Sequence, residues 1–147
     1  LTLTEAVLAY REQYIEENVF RRLQGKILCI TPVYVQRDDH AQGLFHLLTL
    51  GARVLALGDY TAEQALAAAE TELAGIYPGN PKRSTATPTT ERMLQAFDNL
   101  NLLLIPVGDQ LHCQVTTLTA VQTRIMHLWD LPVSLYTDLA QVSWPRE

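Results

Sequence analysis

A single carboxylate stands out near the start of the chain. From Leu1 to about Leu23 no Gly or Pro interrupts the sequence, and Leu3, Val7, Tyr10 and Tyr14 recur at helical spacing. The spacing predicts a helix, with Thr2 or Thr4 capping its start and Gly25 ending it. At about 100° per residue, Tyr10, Gln13, Glu17 and Gln24 fall within one narrow arc, with Phe20 beside them. Glu5, Glu12 and Glu16 lie on a different face, where water can serve them. An isolated carboxylate among aromatic and amide side chains suits a metal ligand or a general base. Tyr10, Gln13 and Gln24 would then position it or contact a phosphate. The competing explanation is a helix carrying ordinary solvated glutamates, and spacing alone favours that explanation.

Other residues with chemical potential are easier to place. Arg21, Arg22, Gln24 and Lys26 form the densest basic cluster and the stronger candidate for DNA contact. Lys82 and Arg83 sit in a loop, where basic side chains can position a phosphate backbone or be solvated. Asp38, Asp39 and His40 have the residue types of a metal cluster. Adjacent positions at a helix start do not face each other, however, and capping accounts for them better. His112 and Cys113 are neighbours on an expected strand, so they point to opposite faces and make poor co-ligands. His46 and His127 lie on apolar helices and are expected to be structural.

The elements that must hold these groups are predicted to be mainly helical. The segment KILCITPVYVQ favours extended chain, and Pro32 forbids a helix there. Asp38 or Asp39 can cap a second helix over Ala41–Leu57, apolar nearly all round and hence expected to be buried centrally. Gly58-Asp59 reads as a break, and Thr61 as the start of an alanine-rich third helix ending near Gly75. Tyr77 to Thr90 reads as a loop. Thr89 or Thr90 would cap a short helix over Glu91–Phe97. NLNLLLIP and LHCQVTTL then form two strands around a turn at Val107-Gly108-Asp109-Gln110. Thr119 caps a last helix over Ala120–Trp129, Pro132 stops it, and a short turn or helix follows around Tyr136. The expected fold class is mainly α with one small β-hairpin.

Composition narrows the class further. A chain of 147 residues with 48% hydrophobic and 18% charged residues fits one soluble domain of ordinary size. A net charge of −5 argues against a self-contained basic nucleic-acid module, while leaving room for one local DNA-facing surface. Cys29 and Cys113 lack metal-type spacing, which points to a reduced, cytoplasmic compartment. The longest apolar stretch, Leu44 to Leu57, contains His46 and Arg53 and is too short to span a bilayer, so no membrane is expected. The opening LTLTEAVLAYREQY has no basic n-region of a signal peptide. It begins with Leu rather than Met, which leaves open a processed chain or a piece of a longer one.

The string YREQYIEENVFRRLQGK, followed by ITPVYVQRDDHAQGLFHLLTLGARVLAL, resembles the DDE transposases of bacterial insertion sequences. It is most similar to the C-terminal part of their RNase H-like α/β catalytic domain. That family carries a helix patterned as Tyr, two residues, usually Arg, three residues, Glu, six residues, usually Lys. In this register the positions are Tyr10, Gln13, Glu17 and Gln24, and Phe20, Arg22, Leu23 and Gly25 match the continuation of the motif. The segments LAGIYPGNPKRSTATPTTERMLQAF and HCQVTTLTAVQTRIMHLWDLP are similar to downstream parts of one branch, so nearly the whole chain is covered.

The resemblance implies that residues 1–57 are C-terminal helices of the catalytic core and that 58–147 form a helical tail with hairpin and terminal helix. It implies DNA strand cleavage and transfer in the intact enzyme, with Glu17 as its third metal-binding carboxylate. It also implies two Mg2+ ions, transposon-end DNA as partner and a homodimer. Tyr10, Arg11, Gln13, Arg21, Arg22, Gln24, Lys26, Lys82 and Arg83 would bind or position that DNA.

The departures matter as much as the matches. Gln13 replaces the usual Arg, with Arg11 nearby, and Gln24 replaces the usual Lys, with Lys26 beyond it. In the family, two Asp residues come from strands upstream of the Glu helix, but only 16 residues precede Glu17 and none is Asp. One carboxylate cannot hold two hard cations. The chain alone is therefore expected not to cut DNA. A non-catalytic helical interaction module, or an inactive transposase relic, is the alternative.

Overall fold

The computed structural model describes residues 2–25, 28, 35–107, 110–141 and 144–145. The chain divides into two compact units, Leu1–Ala56 and Leu57–Glu147. It is mainly helical, with small antiparallel strand pairings. Lys26 and most of the expected extended segment KILCITPVYVQ lie outside the described residues.

The first unit is built on two helices. Helix α1 spans Leu3–Gln24. Thr2 caps it in a capping box: its hydroxyl accepts from the Glu5 N–H, while the Glu5 carboxylate accepts from the Thr2 N–H. Arg21 and Arg22 occupy the last turn, where cations suit the helix dipole. Gly25 ends the helix in extended rather than left-handed backbone, its N–H donating to the Arg22 carbonyl.

Helix α2 spans Asp38–Ala68, 31 residues without interruption. This corrects the expected break at Gly58-Asp59 and merges two anticipated helices into one. The reason is contact. A Cβ on Gly58 would collide with the Thr90 hydroxyl. Beside it, the Asp59 carboxylate accepts the Thr90 N–H at 2.6 Å. Mid-helix glycine costs about 1 kcal/mol relative to Ala, and here it admits a neighbour rather than ending the helix.

Two further expectations about α2 change. Asp38 and Asp39 lie in its first turn rather than before it. The Asp39 carboxylate is engaged by Arg37 through Nε at 3.0 Å and Nη2 at 2.6 Å. Nor is the helix buried all round. Within the first unit Leu48, Ala52 and Leu55 are buried, whereas Phe45, Leu47, Leu50 and Val54 are exposed. Leu48, Ala52 and Leu55 share one side of the helix by their 3–4 spacing, so cover reaches that side and not its opposite. By length and composition α2 is also apolar enough to cross a membrane. The Leu44–Leu57 stretch alone had suggested otherwise. Arg53 or Asp59 would each cost about 3 kcal/mol at a bilayer centre.

The second unit closes a core. Its elements after α2 are β1 (Leu73–Ala74), β2 (Ser84–Thr85), α3 (Thr90–Gln95), β3 (Leu102–Val107), β4 (Gln110–Val115), α4 (Ala120–Leu128), α5 (Ser134–Thr137), a 3₁₀ turn (Asp138–Gln141) and β5 (Trp144–Pro145). Thr89 caps α3, and Thr119 caps α4 in a second capping box with Gln122. Ala62, Leu66, Leu73, Ile76, Met93, Ile125 and Leu128 form the buried cluster, with Tyr77, Phe97, Val121 and Trp129 packed against it. The expected loop over 77–90 contains β2, which pairs with β1 in the register Leu73↔Thr85 and Ala74↔Ser84. Gly75 does not end a helix. It follows β1 at φ +85, and a Cβ there would meet Val121 at 2.7 Å. The hairpin runs from Leu102↔Val115 to Val107↔Gln110, the latter pair being the ends of the expected turn. Strand β5 adds a third strand to it, which the sequence had not suggested.

Candidate functional site

Helix α1 places the carboxylate and its neighbours as helical spacing requires. Gln13 Nε2 donates to Glu17 Oε1 at 3.1 Å, one turn apart. Tyr10 is 76% exposed, Tyr14 61% and Phe20 63%. Thus the face around Glu17 is open, and the amide orients the carboxylate without burying it. A lone exposed carboxylate can accept hydrogen bonds or supply one ligand to a shared cation. It gains no help from desolvation.

The basic candidates scatter. Arg21 Nη2 donates to Asn18 Oδ1 at 2.8 Å, so its guanidinium is turned along its own helix. Arg22 is half-buried and partnered. Gln24 is exposed two turns beyond Glu17. Arg11 is exposed but lies about 120° around the helix from Glu17. Lys82 and Arg83 belong to the other unit. There the Arg83 guanidinium lies 4.2 Å from the centroid of the Tyr77 ring, a cation–π contact that occupies it, while Lys82 is exposed.

The histidines are corrected. His46 and His127 are exposed rather than part of a core, His127 standing in the last turn of α4. His112 is exposed while Cys113 is buried, which puts them on opposite faces of β4. Among the described residues no three His, Cys, Asp or Glu side chains gather in a way that could hold a metal. Glu17 alone does not fit a two-cation site, and no step through Mg2+ is derived from this chain.

No family model, curated protein or solved structure matches the chain.

Two polar arrangements escaped the sequence reading. Gln122 is buried, yet its Nε2 donates to the Ala96 carbonyl at 2.8 Å and its Oε1 accepts the Thr119 N–H at 2.7 Å. Its place three residues after a capping Thr was the available signal. The second lies on α2. Gln42, His46, Thr49 and Arg53, with Phe45 and Leu50, line a depression of about 470 Å³. The 4–3–4 spacing of polar residues through an otherwise apolar helix was visible in the sequence.

Proposed function

We propose that the chain is the C-terminal part of a DDE transposase with an RNase H-like catalytic domain. In the intact enzyme it would supply Glu17 as the third metal-binding carboxylate for strand cleavage and transfer. The reading rests on the resemblance from Tyr10 to Leu57 and around YPGNPKR. One observation supports it: Glu17 is oriented by Gln13 on a helix face whose aromatic residues stand uncovered. In the family, a sheet packs against this helix, and uncovered Tyr10, Tyr14 and Phe20 are what its absence would leave. Two further carboxylates would have to come from outside these 147 residues.

The test uses an intact protein in which this chain continues a segment bearing two strand-borne Asp residues. Glu17→Gln should abolish cleavage of transposon-end DNA, measured on a labelled duplex, while DNA binding stays within about twofold. Loss of binding together with cleavage would overturn the assignment. It would leave a non-catalytic helical module, the alternative that the net charge of −5 favours.

A further inference from the structure

We propose that the α2 face from Gln42 to Arg53 binds one nucleotide of an unpaired DNA strand, its base against Phe45 and its phosphate at Arg53. The described residues that line the depression belong to one helix within the first unit. Gln42, His46, Thr49 and Arg53 fall within about 60° of arc, and Phe45 and Leu50 stand about 40° outside either edge. Polar side chains thus form a central row with one apolar residue on either side. The depression is shallow and open to solvent, and its volume of about 470 Å³ leaves room for a single nucleotide laid along the helix.

The chemistry of each side chain selects the ligand. Phe45 is 52% exposed, so its ring offers an open π face, and such platforms stack bases without reading their sequence. Arg53 carries the one permanent charge of the row and offers forked donors suited to a phosphate. Gln42, His46 and Arg53 have no hydrogen-bond or ion-pair partner among the described residues. The Thr49 hydroxyl donates to the Phe45 carbonyl at 2.8 Å, leaving its oxygen to accept from a base or sugar. The first-turn acids Asp38 and Asp39 would repel a phosphate at the other end of the row. Arg53 lies about 20 Å along the helix from them, which places the anion at its end.

An exposed aromatic face, with a guanidinium rooted about 12 Å further along the helix, suits an unstacked base and its phosphate rather than a closed duplex, whose bases have no free faces. The choice of DNA over RNA rests on the function proposed above; the nucleotide chemistry does not. The test is fluorescence anisotropy of the 147-residue chain with a labelled eight-nucleotide thymidine oligomer at low salt. Phe45→Ala and Arg53→Ala should each weaken binding fivefold or more, and an abasic oligomer should bind the parent chain about as weakly as the thymidine oligomer binds Phe45→Ala. Both side chains are exposed, so helicity by circular dichroism should not change. Glu12→Gln, exposed on another helix and outside both proposed sites, should leave oligomer affinity intact, and because the assay reads binding without cleavage its outcome stands apart from the catalytic proposal. Equal affinity across parent and variants, no binding at all, or equal binding of the abasic oligomer would each overturn the site. Duplex binding that ignores Phe45→Ala would overturn the stacked base. Tighter binding of the uridine ribo-oligomer would overturn the assignment to DNA.

Discussion

The two units spend their apolar residues differently. In the second, Leu66, Met93 and Ile125 are almost wholly removed from water, and even polar Gln122 is buried with both ends of its amide bonded. In the first, Leu3, Tyr10, Tyr14, Leu47, Leu50 and Val54 face solvent on two long helices; the second has an exposed row of its own, Leu102, Leu103, Leu104, Ile105 and Val107 on β3, and differs in closing a core behind it. Scattered apolar exposure is ordinary, but rows of it along whole helices mark surfaces meant for something else. The second unit therefore owes its order to its own core. Helix α1 owes more to its caps and to a run free of Gly and Pro.

This contrast can be broken at its strong end first. Ile125→Ala should cost about 2–5 kcal/mol, since it empties a fully buried site in the second unit's core. Urea unfolding followed by far-ultraviolet circular dichroism measures it, and a loss below 1 kcal/mol would mean the core is loosely packed. Gly58→Ala comes next, with an expected net loss of about 1–3 kcal/mol despite the better helix former. The new methyl would press on Thr90, which cannot yield freely because Asp59 holds its backbone. A raised melting temperature would show that Thr90 moves aside. The smallest effect belongs to the first unit. Leu47→Lys, at a position 67% exposed, should change stability by no more than about 0.5 kcal/mol. A loss of 2 kcal/mol would mean that this row is covered in solution, and the contrast would fail.

The same contrast marks what the sequence could reveal. Local chemistry was legible. The caps at Thr2, Thr89 and Thr119 and the pairing of Val107 with Gln110 follow from short-range rules, while Gly108 and Asp109 lie outside the described residues. What was missed depends on distant partners. Gly58 reads as a break until Thr90, 32 residues later, is seen to need its space. The apolar run from Leu44 reads as a core helix because composition does not say which sides find cover. Strands β1, β2 and β5 have two residues each, too few for an alternating pattern. Around Glu17, the arc and the Gln13 contact follow from helical spacing, whereas the openness of that face does not.

The indole N–H of Trp129 donates to the Gly58 carbonyl at 3.0 Å, across 71 residues of sequence. Such a contact forms only after a long loop has closed, so it reports a late step in assembling the second unit. In refolding, the emission of Trp129 should change in the phase that joins α4 to α2, after helical signal has already returned. That one bond makes the indole a local reporter of α4 meeting α2.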